Sequence, residues 1–267
     1  MATPIGNLRD ITLRALDVLA GADLVLAEDT RVSGKLLAVY GIAKRLERYD
    51  EHAAARARPK ALAALAGGAR VALVSDAGTP LISDPGYRLV TEALAAGAAV
   101  WPIPGPSSAL AALSVAGLPT DRFLFAGFPP PRSAARRTFL EGLRGVRATL
   151  ILFEGASRLG ASLADMAAVL GPRPAAVARE LTKLHETLVR GDLAALAADP
   201  ALASPKGEVV VVIGPPPDEA AAPVDIDAAL AEALIRLSPA DAAREVAGAT
   251  GLARRELYGR ALALKGR

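Results

Sequence analysis

RVALVSDAGTP, residues 70–80, joins a short apolar run directly to a turn of small and polar residues. Residues 23–27 and 98–103 have the same design, because each is an apolar run that ends in a polar or proline-rich turn. Such runs are typical of strands that are buried on both faces of a parallel sheet. Stretches with helical spacing follow them at residues 31–40, 56–66, 84–96 and 107–116. The pattern predicts a parallel α/β domain over residues 1–117.

The first residues form a turn of the same kind. Thr3-Pro4-Ile5-Gly6-Asn7 is expected to follow a first strand that is almost absent, because the numbering begins at Met1. We therefore expect either that residues of that strand are missing upstream or that the numbered chain starts late. Asp10 precedes apolar residues at helical spacing, so we expect it to be the N-cap of a helix over residues 11–19.

Residues 118–214 show a different pattern, with more strand-like runs than helices. The strand-like runs span residues 148–153, 175–179, 184–190 and 208–213, and the helical stretches span 133–143, 157–170 and 192–198. Turn signals between the runs favour hairpins, so we predict a second α/β domain with a mixed sheet. The proline-rich stretch at 215–225 predicts a linker, since it can neither continue a strand nor start a long helix.

Residues 226–267 have a helical pattern throughout. Ser238-Pro239 is a helix start, with the serine as N-cap and the proline at the first helical position. Thr250-Gly251 interrupts the pattern between two helices, which predicts a helix-turn-helix domain. The predicted fold class is α/β, with two α/β domains and a small C-terminal helical domain.

The composition of the 267-residue chain excludes several classes of protein. Hydrophobic residues make up 52% and charged residues 22%, which is a globular balance and excludes a disordered chain. The chain has no cysteine and two histidines, so cysteine zinc sites and three-histidine metal sites are excluded and no metal is predicted. A net charge of +3 permits a nucleic-acid partner without demanding one. No membrane-length apolar run or secretory leader is present, so we expect a cytoplasmic protein with no membrane association.

The turns at the strand ends carry the residues most suited to a ligand. In open α/β sheets, ligands bind outside the carboxyl ends of the strands. Residues 75–86 read SDAGTPLISDPG, in which small residues let a ligand approach the backbone and prolines fix its path. Ser107 and Ser108 either cap the next helix or donate hydrogen bonds to a ligand, and the residues alone favour neither reading. Dinucleotide-binding, phosphate-loop and α/β-hydrolase fingerprints are absent from the sequence.

Charged residues are concentrated at one strand end and beside another strand. Residues 28–31, Glu-Asp-Thr-Arg, place three ionisable groups at one strand end, where a capped helix start with a local salt bridge is the simplest structural explanation. Glu180 and Lys183 lie beside a predicted strand of the second half. On a two-residue strand period, Lys183 and His185 are expected to share one face.

Together these motifs resemble one family, ribosomal RNA small-subunit methyltransferase I, a branch of the tetrapyrrole methylase superfamily. The resemblance covers nearly the whole chain in order and spacing, and no single motif carries it. The matching motifs are TPIGN at 3–7, EDTR at 28–31, SDAGTPLISDPG at 75–86, PGPS at 104–107, residues 123–129, ELTK at 180–183 and KGE at 206–208. Residues 226–267 resemble the helix-turn-helix appendage of the same family.

The resemblance implies a fold, a cofactor and a reaction. The implied fold has two α/β domains, with S-adenosylmethionine held in the cleft between them, and the implied assembly is a homodimer. The implied reaction is methylation of the ribose 2′-hydroxyl of a cytidine in the decoding region of 16S ribosomal RNA, within the small ribosomal subunit.

The resemblance also assigns residues to the site. The cofactor contacts fall on Pro4, Ala77, Gly78, Thr79, Ile82, Ser107, Ser108, Glu154 and Leu181, the last two through the backbone. Thr79 departs from the superfamily, because it stands where a carboxylate is usual, so Asp76 or Asp84 is expected to supply that charge. The candidates for the acid–base step are Lys183, Glu180, Asp29 and Asp76, and the sequence does not choose among them.

Two rival functions remain open at this stage. A tetrapyrrole or other small-molecule methyltransferase would share the fold and cofactor, but it has no use for a nucleic-acid module. A non-enzymatic nucleic-acid-binding regulator would use the C-terminal helices, but it would not need the strand-end loops.

Overall fold

The computed structural model describes residues 1–217, 225–250 and 252–265, which form two units that divide between Pro216 and Pro217. The strands of the first unit are β1 Leu24–Ala27, β2 Leu46–Arg48, β3 Val71–Val74, β4 Phe123–Gly127, β5 Thr149–Gly155, β6 Pro174–Arg179, β7 Thr187–Asp192 and β8 Glu208–Ile213. Its helices are α1 Leu13–Gly21, α2 Thr30–Val39, α3 Ala54–Ala66, α4 Tyr87–Ala95, α5 Ser108–Ala116, α6 Ser133–Glu141, α7 Leu159–Leu170 and α8 Leu193–Ala198. The second unit contains α9 Ile226–Leu234, α10 Pro239–Thr250 and α11 Arg254–Lys265.

The first sheet is parallel throughout, with the strand order β2-β1-β3. Every residue of β1 is buried, and alternate side chains enter different cores. Val25 and Ala27 pack in a cluster with residues of α1 and α2, whereas Leu24 and Leu26 pack with residues of α3 and α4. Helices therefore cover both faces, which is why β1 reads as a continuous apolar run.

Two local expectations for this part of the chain are wrong, and one strand was not expected. Residues 98–103 form no strand, because prolines 102 and 104 cannot donate to a ladder and Trp101 is 80% exposed. The unpredicted strand is β2, which has three residues, two of them charged. Asp10 lies in a short 3₁₀ turn, Leu8–Asp10, and Thr12 is the N-cap of α1.

The chain start lies between the loop after β3 and the loop before α5. The Met1 ammonium donates to the carbonyl of Leu73 at 2.8 Å, and Ala2 N–H donates to that of Ile103 at 3.1 Å. Thr3 and Gly78 exchange two backbone hydrogen bonds, at 2.9 and 3.0 Å. These bonds hold residues 4–7 against the end of the first sheet.

The second sheet is mixed, as predicted, with the strand order β4-β5-β8-β6-β7. β4 and β5 are parallel, and the other pairs are antiparallel. One face packs on α6, α7 and α8, and the other packs on α5, whose Ala109, Ala112 and Leu113 meet Ile151 and Val212. Because α5 follows directly from the first half of the chain, it joins the two sheets.

The turn between β6 and β7 corrects the expected placement of Lys183 and His185. The strand begins at Thr187 rather than at residue 184, and residues 180–186 form the hairpin turn. Glu180 and Thr182 have φ angles of 52° and 66°, so strand periodicity cannot apply there. Lys183 and His185 therefore do not share a strand face.

The second unit is a three-helix cluster around its own core. Leu230, Ala242, Ala243, Leu257 and Ala261 are completely buried in it. The Ser238 hydroxyl accepts a hydrogen bond from Asp241 N–H, so the predicted cap and start of α10 are confirmed. Most of the predicted linker at 215–225, the glycine at 251 and residues 266–267 lie outside the described residues.

Candidate functional site

A cavity of about 410 Å³ lies in the first unit, where several strands of both sheets end or begin. Its wall includes Ile5, Glu28, Asp76, Ala77, Ser83, Asp84, Ser108, Phe128, Phe153, Glu154, Leu181, Gly207 and Glu208. The volume suits a small molecule, and the wall combines apolar side chains with a few charged groups. A cavity of about 380 Å³ beside α2 has Lys44 as the one ionisable side chain in its wall. The chemistry therefore favours the cavity at the strand ends.

Residues 75–86, which we call the carboxylate loop, form one side of this cavity. Leu81 and Ser83 have positive φ angles of 73° and 64°, a conformation that is uncommon without glycine. The Thr79 hydroxyl donates to the carbonyl of Pro106 at 3.2 Å and so ties the loop to the segment before α5. The Thr79 hydroxyl therefore serves as a structural link between the two segments.

Three carboxyl groups of the wall, from Glu28, Asp76 and Asp84, destabilise one another as anions. Burial raises the pKa of Glu28, and the charges of Asp84 and Asp76 raise it further. Burial and then the charge of Asp76 raise the pKa of Asp84. The pKa of Asp76 is raised by burial and by Asp29, although Asp29 N–H donates to its Oδ1 at 2.8 Å. A proton or a cationic ligand would stabilise this part of the wall.

Asp29 lies beside these groups but has a structural role. It is the N-cap of α2, where it accepts a hydrogen bond from Arg31 N–H at 2.8 Å. The Arg31 guanidinium also pairs with it at 2.6 Å, and these contacts hold its pKa well below the usual range. Asp29 therefore remains an ionised carboxylate with its partner in place.

Residues 180–186, which we call the lysine loop, face the cavity from the second sheet. Lys183 Nζ lies 2.9 Å from Glu180 Oε1 and 3.0 Å from Glu208 Oε2. Burial alone would lower the pKa of Lys183, but its hydrogen bonds to both carboxylates outweigh burial and raise it. The Lys183 hydrogen bond and the backbone N–H of Glu208 lower the pKa of Glu180. Lys183 is thus a fixed cation and a poor proton acceptor.

The lysine loop is held by contacts within it and by contacts from outside it. Asn7 N–H donates to the Thr182 hydroxyl at 3.1 Å, and Thr182 N–H donates to Glu186 Oε2 at 2.6 Å. Gly207 has a φ of 98°, and a Cβ there would overlap the carboxyl group of Glu180. In the described chain, every non-glycine residue with positive φ belongs to the carboxylate loop or the lysine loop. Both strained segments border the same cavity.

Two further residues with an expected ligand role have their side chains engaged elsewhere. The buried Glu154 carboxylate accepts hydrogen bonds from Gly155 N–H, Arg158 and Ser162. The Ser107 hydroxyl caps α5 through Leu110 N–H. The Glu154 carboxylate is therefore occupied by protein donors, and a main-chain contact of Glu154 with a ligand stays a prediction.

The structure brings part of the expected site together. The expected residues that line the cavity are Asp76, Ala77, Asp84, Ser108, Glu154 and Leu181. Pro4, Asp29, Gly78, Thr79, Ile82, Ser107, Glu180 and Lys183 lie outside its wall, in the segments that support it. Ligand contacts by any of these residues stay predictions.

Sequence reasoning did not assign Glu28, Phe128, Phe153 and Glu208 to the site, although they line the cavity. Glu28 follows the end of β1, and Glu208 is the first residue of β8. Their position at the strand ends is the sequence signal that could have assigned them to the site. Phe128 lies in the motif at 123–129, which is the available signal for it, whereas Phe153 ends a predicted strand and no signal distinguishes it.

The described residues contain no group of three or more His, Asp or Glu side chains arranged to hold a metal ion. Within that same part of the chain, no helix is both long and apolar enough to cross a membrane.

Comparison with known proteins gives matches over both units. A family model described as Tetrapyrrole (Corrin/Porphyrin) Methylases matches residues 2–197, and one described as RsmI C-terminal HTH domain matches residues 220–265. The ribosomal RNA small subunit methyltransferase I of Mesorhizobium japonicum is 55% identical over 267 residues, covering 99% of this chain and 91% of the relative. The chain belongs to the ribosomal RNA small subunit methyltransferase I family.

Other members and neighbours agree with this family. The Erythrobacter litoralis member is 55% identical over 265 residues, covering 99% of this chain and 94% of its own. The crystal structure of uroporphyrin-III-C-methyltransferase from Thermus thermophilus has a TM-score of 0.56 and 25% identity, covering 79% of this chain and 90% of the neighbour. The fold is therefore that of the tetrapyrrole methylases, extended by a C-terminal helix-turn-helix domain, and the protein is a methyltransferase.

Proposed function

We propose that this protein transfers a methyl group from S-adenosylmethionine to the ribose 2′-hydroxyl of a cytidine in the decoding region of 16S ribosomal RNA. The observation that carries the proposal is the 55% identity, over 99% of the chain, to a ribosomal RNA small subunit methyltransferase I. The strand-end cavity is the reaction site in this proposal.

The cavity wall fits S-adenosylmethionine by charge and by polarity. Glu28, Asp76 and Asp84 supply negative charge where a cation is needed to offset it. Phe153 and Leu181 provide apolar surface for the nucleoside part. S-Adenosylmethionine supplies an electrophilic methyl group on a positively charged sulfur.

Asp76 is the group that we assign to the proton of the ribose hydroxyl. It lines the cavity, its raised pKa makes it a better proton acceptor than an ordinary aspartate, and Asp29 N–H fixes its orientation. Lys183, Glu180 and Asp29 are poorer proton acceptors, because their ion pairs raise the pKa of Lys183, which keeps its proton, and lower the pKa of both carboxylates. Their role is to support the walls of the site.

The proposed substrate is the RNA within the small ribosomal subunit, which places the protein in the cytoplasm.

The proposed active form is a homodimer. Leu13 and Trp101 are 81% and 80% exposed, and the neighbouring Arg14 donates to the carbonyl of Pro102 at 3.3 Å, so the two apolar side chains belong to one surface region. A second copy is the partner that we assign to it. Sedimentation should give a dimer for the wild type and a monomer for Trp101→Glu.

The function is tested by incubating unmodified small subunits with the protein and cofactor labelled in its methyl group. A 2′-O-methyl group protects the adjacent phosphodiester from alkaline cleavage, so ribose methylation leaves one labelled, alkali-resistant dinucleotide. We expect one methyl group per subunit, on a cytidine ribose that mass spectrometry maps to the decoding region. Label on a base, or none in RNA while a tetrapyrrole is methylated, would contradict the proposal.

A further inference from the structure

Phe128 is an aromatic side chain at the edge of the cavity that the methyl-transfer chemistry does not use. Its ring lines the cavity, and the residue is 54% exposed although phenylalanine is costly to leave in water. A β-bulge between Phe125 and Gly127, where Gly127 has a φ of 70°, turns the chain out of β4 just before it. The backbone thus presents this ring at the cavity edge.

The ring is supported along one edge. Phe153, also in the cavity wall, lies 5.4 Å from Phe128 between ring centroids, at an interplanar angle of 65°. Phe125 packs on Phe153 in the same manner, at 4.8 Å and 66°. These edge-to-face contacts fix the aromatic cluster and do not cover both faces of Phe128.

The segment after Phe128 is anchored to the second sheet's helical layer. Pro129 is buried, and two more prolines follow, which restrict the backbone. The buried Arg136 guanidinium donates to the carbonyl of Pro131 at 3.2 Å and pairs with Asp165 at 2.6 Å. A ring mounted on such a segment loses little conformational entropy when a ligand covers it.

We propose that Phe128 is the stacking surface for the nucleobase whose ribose is methylated, a role that rests on the proposed function. If a 2′-hydroxyl is to approach Asp76 in the cavity wall, its nucleotide must leave the RNA stack. The displaced base then needs an apolar surface within a nucleotide's length of the reacting oxygen. Phe128 lines the same cavity as Asp76 and has ring surface exposed for this contact.

The test compares substitutions of Phe128 that distinguish the contribution of aromatic stacking from that of buried apolar area. Phe128→Leu keeps apolar bulk without an aromatic face, Phe128→Ala removes both, and Phe128→Trp enlarges the aromatic face. Removal of a stacking side chain is worth about 10- to 100-fold. We expect Phe128→Ala and Phe128→Leu to lower kcat/KM for unmodified subunits by about that factor, and Phe128→Trp to stay near the wild type. The matched control is Phe123→Leu, since Phe123 is an exposed phenylalanine at the start of β4 and lies outside the cavity wall.

Calorimetry with S-adenosylmethionine distinguishes the base from the cofactor. We expect each Phe128 variant to bind the cofactor with unchanged affinity. Weaker cofactor binding by Phe128→Leu, or normal subunit methylation by it, would overturn the stacking role while leaving the proposed function intact. If the wild type transfers no methyl group to the subunit, the proposed function fails and the stacking role fails with it.

Discussion

The carboxylate loop and the lysine loop border the same cavity, but they differ in whether their charged groups form ion pairs. In the described residues, Asp76 and Asp84 of the carboxylate loop join no ion pair, and burial raises the pKa of both. In the lysine loop, Lys183 pairs with Glu180 and Glu208, and the pKa of Glu180 is lowered. Ion pairs hold the conformation of a loop, whereas carboxylates buried without an oppositely charged partner are available to a cationic ligand. From this difference we assign the proton transfer to the carboxylate loop and a structural role to the lysine loop.

The strongest test of this contrast removes one carboxylate from each environment. We expect Asp76→Asn to lower the single-turnover methylation rate by about 100-fold or more, because loss of a general base costs that much. Asp29→Asn removes a neighbouring but paired carboxylate and keeps a good N-cap, so its rate should stay within about threefold. Single-turnover assays on unmodified subunits make the comparison, and equal losses in the two variants would break it.

A smaller loss is expected from Lys183→Met in the lysine loop. The substitution leaves Glu180 and Glu208 facing each other, so the loop shifts and methylation should fall by about 10-fold. Lys183→Arg should recover most of the rate, because it restores a cation between the carboxylates. Lys44→Met, remote from the strand-end cavity, is the silent control. A loss as large as that of Asp76→Asn, without rescue by arginine, would assign the chemistry to the lysine instead.

Matched glycine substitutions compare how tightly the two loops are packed. Alanine at Gly207 is strained at a φ of 98° and overlaps Glu180, so we expect it to destabilise the fold by about 2–3 kcal/mol. Alanine at Gly78 is strained at a φ of 78°, but its Cβ meets nothing nearer than Ile5 Cγ2 at 3.6 Å, so about 1 kcal/mol is expected. Chemical denaturation measures both free energies of unfolding, and a larger loss for Gly78→Ala would contradict this packing difference.

The smallest expected effects concern the pH dependence of stability. A carboxyl group with a raised pKa contributes stability that is present below its unfolded pKa and lost as pH rises through its folded pKa. Glu28→Gln should therefore raise the melting temperature at pH 8 by about 1–3 °C and give no gain near pH 3. Glu180 has a lowered pKa, so its stability is present above the unfolded pKa and lost as pH falls through the folded one. Glu180→Gln should accordingly lower the melting temperature at pH 8, and the same sign for both variants would contradict the contrast.

The sequence predicts those features that depend on local pattern. The runs at β1 and β3 are readable because strands buried on both faces are continuously apolar and end in polar turns. β2 is not readable, since three residues with two charges carry no periodicity. The prediction of a strand at residues 98–103 is wrong for the opposite reason. The apolar side chains there suggest a strand, but the prolines prevent one.

The candidate site depends on features that local pattern does not contain. Asp76 follows β3 and is predictable as a strand-end residue, but its approach to Glu28 depends on β1 and β3 pairing in parallel. The contact of Phe128 with Phe153 depends on a bulge in β4 and on the pairing of β4 with β5. The positive φ of Thr182 is set by tertiary contacts, and a β-branched residue gives no warning of it.

The pH dependence of the single-turnover rate tests most directly whether the carboxylate loop supplies the base. If Asp76 accepts the hydroxyl proton, the wild-type rate on unmodified subunits should fall on the acid side as a carboxylate with a raised pKa is protonated. That acid limb should disappear in Asp76→Asn and persist in Lys183→Met. An acid limb that persists in Asp76→Asn, or one that Lys183→Met abolishes, would contradict the assignment.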